Sequence, residues 1–210
     1  MAVADQLVVS RQQQVGAASR QATRDRLLRA AGEEFETRGY AAATVNRIAA
    51  SAQVSVQTLY LTWGSKRALL RAHVEQLLAG AAASPEAVAD RFDGLSPRER
   101  VIGLAAAVTE AAARAARGWT LYRDAAATDP EIAADWSELQ QLRHGLFETV
   151  IGAIPVPALR AGLMMQQAID TAWAVASPDM HDLLVNRRGY TLHDFEQWLA
   201  ATLTAALLEP

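Results

Sequence analysis

The chain has 210 residues, 51% of them hydrophobic, which gives room for one small and one larger domain and excludes global disorder. Alanine is abundant while Gly (12) and Pro (7) are few, favouring an all-α fold, and the absence of Cys excludes disulfides and thiolate metal sites. The net charge of −3 hides an asymmetry: residues 1–70 hold nine Lys and Arg against five Asp and Glu, and the rest hold eleven against eighteen, so a basic N-terminal part precedes an acidic body, as suits a DNA reader carrying a separate effector domain.

Residues 1–19 lack sustained periodicity and read as a mobile N-terminal arm, ordering in part as an extension of the next helix, in which Arg11, and Arg20 just beyond it, are candidates for solvated charges or DNA contacts. The N-terminus has no basic-then-apolar signal pattern, and no apolar run reaches the ~18 residues of a membrane span, so a cytoplasmic protein without a membrane partner is expected. A first helix is predicted from Gln21 to Arg38, with Leu27, Leu28, Ala31 and Phe35 on one face and Gly39 as its stop. Arg24 near its start is a candidate phosphate contact or a solvated charge.

The stretch Thr44–Lys66 then reads as two short helices joined by a tight turn. Thr44 and Ser55 are N-caps, whose hydroxyls can accept from unpaired first-turn amides. Val45, Ile48 and Ala49 recur at helical spacing, Ala52-Gln53-Val54 breaks it, and Val56–Thr62 makes about two turns. This is a helix-turn-helix, the motif that lays its second helix in the DNA major groove. On that helix Gln57 is the best base reader, because its amide donates and accepts in one plane and so matches adenine. Val56 and Leu61 suit thymine methyl groups. No Arg or Lys lies between Ser55 and Thr62, so the common Arg–guanine contact is not available there.

The residues Thr44-Val45-x-x-Ile48-Ala49, Val54-Ser55-x-x-Thr58-Leu59-Tyr60-x-x-Trp63-x-Ser65-Lys66 and Ala68-Leu69-Leu70 resemble the TetR family of bacterial transcriptional repressors. The helix before them fits as well, through Thr23-Arg24, Leu27-Leu28, Ala30-Ala31, Phe35 and Arg38-Gly39-Tyr40, so the resemblance spans about Thr23 to Leu78. It departs at Gln53, where many members have Gly, and at Trp63, where Phe or another apolar residue is usual. The resemblance implies a homodimer bound to double-stranded operator DNA, a C-terminal helical bundle that binds a small-molecule inducer, and phosphate contacts by Thr44, Thr58, Tyr60 and Lys66. The implied domains are the arm over 1–19, the helix-turn-helix domain over 20–66 and the effector-binding and dimerisation domain over 67–210.

A helix from Ser65-Lys66 to about Ala82 joins the two domains, and Ser84–Phe92 is ambiguous. Ser96-Pro97-Arg98-Glu99 is a helix start: an N-cap, Pro in the first turn and Glu three residues after the cap. That helix is expected to run to about Arg117, ended by Gly118, with a short one over Trp119–Thr128. Asp129-Pro130 caps a helix to about Ala153; Pro155 and Pro157 interrupt, and Leu159–Ala176 is predicted helical. Ser177-Pro178 starts a short helix to about Arg188, and Thr191 starts the last, to about Leu208.

Trp119, Tyr122, Trp136, Met165 and Trp173, with the polar Arg123, Gln166 and Asp170, are the expected effector pocket, although aromatics at helical spacing also make ordinary core. Arg123 and Arg143 lack a carboxylate four residues earlier, which leaves them for Asp170 or for an acidic group on a flat, largely apolar inducer. Ala168, Ala172, Trp198, Leu199, Thr202 and Leu203 are the expected dimer interface, by the small-and-large mix that close helix packing uses and by the family's pairing of these two helices. His73, His144, His181 and His193 show no metal-ligand spacing, and His181 and His193 read as solvated or capping residues. With no phosphate loop and no nucleophile elbow, neither enzyme, metal nor cofactor is expected. An activator or ligand-independent regulator of the same fold, and a helical small-molecule binder without DNA binding, are the rival readings.

Overall fold

The structure is a computed structural model that describes the backbone of residues 2–78 and 85–209, and the side chains of 15–77 and 87–209. The described residues are helical apart from turns and an isolated antiparallel bridge between Leu159 and Leu208. They form two compact units, Met1–Glu75 and Gln76–Pro210.

The first unit holds α1 (Ala2–Ala42), α2 (Val45–Ser51), α3 (Val56–Trp63) and most of α4 (Lys66–Leu78). Helix α1 begins at Ala2, within the stretch read as an arm, because residues 2–20 contain no proline to break it. It is interrupted where expected, at Gly39, whose φ of 74° suits a residue without a β-carbon. Leu27, Ala31 and Phe35 of α1 meet Ile48 and Ala49 of α2, Leu59 of α3, and Leu69, Leu70 and Val74 of α4 in a fully buried core. Side chains of this size each contribute about 1.5–3 kcal/mol when buried.

Helices α1 and α4 approach closely at Gly32, where an added β-carbon would lie 2.5 Å from the His73 ring. That ring is buried, with its Nε2 at 3.1 Å from a Glu36 carboxylate oxygen.

The second unit contains α5 (Pro85–Phe92), α6 (Pro97–Ala126), α7 (Pro130–Gly152), a 3-10 turn at Val156–Ala158, α8 (Met165–Val175), α9 (Pro178–His181), a π-helical turn at Asp182–Arg187 and α10 (Leu192–Leu207). Helix α6 starts at the expected capping box: Ser96 Oγ accepts from the Glu99 amide at 3.3 Å, and the Glu99 carboxylate accepts from the Ser96 amide at 2.9 Å. It then runs straight through Gly118 rather than stopping there. Burial of Ala115, Gly118, Trp119 and Tyr122 along one face outweighs the roughly 1 kcal/mol that a mid-helix glycine costs. The helix predicted from Leu159 begins only at Met165. Gly162 (φ 78°) and the Leu159–Leu208 bridge hold the preceding residues in an irregular link tied to the end of α10.

Helix α6 packs against α7 and α10, and α8 lies across α7 and α10. This arrangement sets where the residues expected at a dimer interface lie within one chain. Ala168, Ala172, Leu199 and Leu203 are buried in the protomer's own core, beside Val101, Leu104, Phe147, Ile151 and Phe195. Their mix of sizes serves packing within one chain. Trp198 and Thr202 are half-buried, and Trp198 stacks on Phe195 at 5.9 Å between ring centres.

Two outcomes follow from this packing. Gly32→Ala should destabilise the first unit by about 1–3 kcal/mol as His73 is pushed aside, measured by denaturant titration. Leu203→Asp should unfold the second unit, seen as lost helical circular dichroism, rather than release folded monomers, because it places a carboxylate in an apolar core.

Candidate functional site

In the first unit, α2 and α3 are capped as their sequences predict. Thr44 Oγ1 accepts from the Arg47 amide at 3.4 Å, and Ser55 Oγ accepts from the Thr58 amide at 3.0 Å. The turn between them places Gln53 at φ 55°, the one non-glycine with positive φ among the described residues. The neighbouring amides still find partners: Gln53 donates to the Ala50 carbonyl at 3.1 Å and Val54 to the Ala49 carbonyl at 3.0 Å.

With Leu59 pointing into the core, the period of α3 turns Gln57, Tyr60 and Leu61 outward. Tyr60 is 48% and Leu61 81% exposed, neighbours on the same outward face of α3. Val56, at the start of the helix, is half-buried, and Thr44 is exposed. The Thr58 hydroxyl shares a 2.8 Å hydrogen bond with that of Ser55.

The nearby cations are engaged inside the unit. The Lys66 ammonium donates to the carbonyls of Tyr40 (2.9 Å) and Ala43 (3.0 Å) and lies 4.1 Å from the Tyr40 ring centre. Lys66 therefore closes the end of α1, a role that a reading of it as a bare charge at a helix start misses. Arg24 stacks on Trp63 at 3.6 Å and donates to the Thr62 carbonyl at 3.3 Å. Arg47 pairs with Glu34, whose carboxyl is held below the usual range first by that hydrogen bond. Beside α3, α1 adds Ser19, Arg20, Gln21 and Thr23 to a groove completed by Thr58, Leu61 and Thr62. Of these, Arg20, Thr58 and Leu61 are candidate DNA contacts in the sequence, as is Arg24, which also lines the groove. The lack of a helix breaker before Gln21 is the signal that α1 continues alongside α3.

The second unit contains a cavity of about 260 Å³ among α5, α6, α7 and the Ala176–His181 segment. Its wall is mostly apolar: Phe92, Leu104, Val108, Leu139, Leu146 and Phe147 face the small side chains of Ala107, Ala111, Ala112 and Ala116 on α6. The alanines are the signal that an aromatic-seeking reading misses, since small residues leave the space and aromatics fill it.

Among the residues expected to form the pocket, Trp119 lines this cavity. The others lie elsewhere. Trp136 packs edge-on against Trp119, with ring centres 5.3 Å apart, and beside Tyr122, whose hydroxyl donates to buried Asp135 at 3.2 Å. Arg123 pairs with Asp179 and Asp124. Asp170 accepts from Gln166 at 3.0 Å and lies 2.9 Å from His144 Nε2; these contacts, led by His144, lower its pKa. Met165 and Trp173 pack on the core of α6, α7, α8 and α10.

Two polar residues of the wall matter. Arg143 donates twice to the Trp173 carbonyl, at 3.0 and 2.8 Å, closing the last turn of α8, and burial pushes its guanidinium down to about 10. His181, expected to be solvated or capping, is only 3% exposed at the end of α9, and burial lowers its pKa, which favours the neutral ring.

The first unit thus carries a helix-turn-helix, and the second is helical and bears a cavity. Residues 27–73 match the model of the bacterial regulatory proteins of the tetR family, and the fold is that of TetR-family regulators. Among solved structures, the fold is similar to NalD, the secondary repressor of the MexAB-OprM multidrug efflux pump in Pseudomonas aeruginosa (TM-score 0.72, 19% identity, covering 90% of this chain and 98% of that one). It is also similar to SmeT in its triclosan complex (0.70, 20%, 90% and 92%) and to a TetR-family regulator from Rhodococcus sp. (0.66, 18%, 88% and 98%). No curated protein matches the sequence. No helix among the described residues is long and apolar enough to cross a membrane.

The Gln53 turn carries a test. A left-handed backbone costs a side-chain-bearing residue about 1–2 kcal/mol, and the extra unfolded-state freedom of glycine costs about 0.5–1 kcal/mol. Gln53→Gly should therefore stabilise the first unit by about 0.5–1 kcal/mol, read as a raised denaturation midpoint.

Proposed function

We propose that the protein is a homodimeric, ligand-responsive repressor that binds a palindromic operator in the cytoplasm and leaves it when a small apolar molecule occupies the cavity of the second unit. The observation that carries this reading is the outward set Gln57, Tyr60 and Leu61 on a capped recognition helix, in a chain that also holds an apolar cavity. Gln57 would read a base edge, with Val56 and Leu61 against thymine methyls. Thr44, Thr58 and Tyr60 would contact phosphate, joined by Arg20 from the groove beside α3. Lys66, Arg24 and Arg47 would act indirectly, by holding the helices that present these groups.

A palindrome needs two recognition helices about 34–36 Å apart, hence two copies of the chain. The outward residues of α8 and α10, such as Thr171 and Ala174, and Ala201 and Ala205, are the surface offered for pairing, in place of the buried ones. Inducer and operator would be coupled through two states of the dimer, and the coupling is reciprocal: whatever factor the inducer removes from operator affinity, the operator removes from inducer affinity. The repression named for NalD and the ligand complex of SmeT support a reading of this kind.

Selection from random double-stranded DNA, followed by binding measurements, tests it. The selected sequence should be a palindrome, and Gln57→Ala should flatten the preference at one base pair of each half-site, at a cost of about 1–3 kcal/mol there. An unchanged consensus in Gln57→Ala removes the base-reading role, and failure to enrich any sequence removes the operator-binding reading.

A further inference from the structure

The charged side chains around the cavity of the second unit are all of one sign. Arg91 of α5 and Arg143 of α7 line it, and among the described residues no Asp or Glu does. His181 lines it too, but both of its ring nitrogens are fully buried, so it gives the space no polar contact. The Ser177 hydroxyl oxygen accepts from the Met180 amide at 3.2 Å, at the start of α9.

Neither arginine is neutralised within the chain. Arg143 donates to the Trp173 carbonyl, and its guanidinium lies 5.3 Å from the Phe147 ring centre and 4.9 Å from that of Trp173. No carboxylate pairs with it among the described residues; Asp179 acts on it through space and is itself paired with Arg123. With a pKa of about 10, Arg143 stays charged at pH 7. Arg91 is exposed in the last turn of α5, with its guanidinium 6.0 Å from the adjacent Phe92 ring centre. It makes no ion pair among the described residues, because Glu110, the carboxylate whose charge it influences, accepts from Arg114 at 2.6 Å. Leu142 is exposed and lines the cavity as well, so the apolar space runs out to solvent. A cationic ligand meets repulsion from both arginines, and a hydrocarbon leaves both unanswered. A carboxylate on an apolar body is attracted by both, and an arginine fork matches it with two parallel N–H donors.

We propose that this cavity takes an apolar molecule bearing one carboxylate, with Arg91 holding the carboxylate where the cavity meets solvent and Arg143 adding positive charge from the wall. The proposal rests on the reading of the cavity as the effector site and adds one acid group to its apolar ligand. Of the two arginines that the sequence leaves for such a group, Arg123 is taken by Asp179, and Arg143 is directed to Trp173. The cation with its donors uncommitted is Arg91, whose long stem lets the fork turn over the opening. The alanines of α6 leave room for the apolar body.

Calorimetry on the full chain without DNA tests this independently of operator release. The probes are two matched pairs, 2-naphthoate with 2-naphthamide and octanoate with octanamide, each sharing one apolar body and differing in the charge of the head. At low salt the wild-type protein should bind the acid on the order of tenfold more tightly than the amide in at least one pair. Added salt should shrink that preference, because the arginine that carries it is exposed. In Arg91→Gln the amide should bind as before while the preference for the acid falls severalfold, and Arg91→Lys should keep part of it. Should Arg91→Gln fail to fold, the salt series on the wild type decides, and a preference unmoved by salt overturns the role of Arg91. A ratio of one or less in both pairs, or an unchanged ratio in Arg91→Gln, overturns the proposal while leaving the regulator reading intact. No binding of any probe overturns it together with the assignment of the cavity as the effector site. An acid that binds through Arg91 and leaves operator affinity unchanged supports the ligand chemistry and removes the effector role alone.

Discussion

A helix of seven or eight residues does not persist in water on its own, and this limit governs the DNA-facing half of the protein. Helices α2 and α3 exist because Ile48 and Leu59 are buried against Leu27, Phe35, Leu69 and Val74, and because Thr44 and Ser55 satisfy their first amides. Once Leu59 is committed to the core, the helical period leaves no choice about Gln57, Tyr60 and Leu61: they face away from it. The recognition surface is thus a consequence of the core.

The same economy applies to the charges. A basic N-terminal region suggests cations waiting for phosphate, yet Lys66 lies on the carbonyls that end α1, Arg24 on Trp63, and Arg47 on Glu34. These contacts fix the geometry of the helix-turn-helix. Arg20, on the extension of α1, stands beside α3 in a groove that includes Leu61 and Thr62. Charge counting detects the asymmetry of the chain and does not distinguish cations that hold the domain together from cations that remain for a partner.

In the second unit, space and its filling are set by opposite kinds of residue. Trp136 packs on both Trp119 and Tyr122, as large aromatic surfaces do when a neighbouring ring is within reach. The cavity lies where α6 presents alanines to Phe92, Leu139 and Phe147. Arg143 spans α7 and α8 through the Trp173 carbonyl, and His181 is left facing apolar neighbours.

The sequence by itself determined the helical class and the caps at Thr44, Ser55, Ser96, Asp129, Ser177 and Thr191. These are legible because capping and turn geometry depend on residues within four positions of one another. The outward direction of Gln57 and Leu61 follows from the same short-range periodicity. What only the tertiary structure decided depends on which helix lies across from which. Gly118 continues a helix because its neighbours are buried, Leu199 and Leu203 are buried because α6 and α8 pack on α10, and the cavity opens opposite alanines. His181 shows the difference most plainly. Beside Asp182 in the sequence it reads as a solvated or capping residue, and only the packing of α9 against α6 and α10 removes it from water and leaves its nitrogens without hydrogen-bond partners among the described residues. Burial is a property of the space between helices, and no local pattern encodes it.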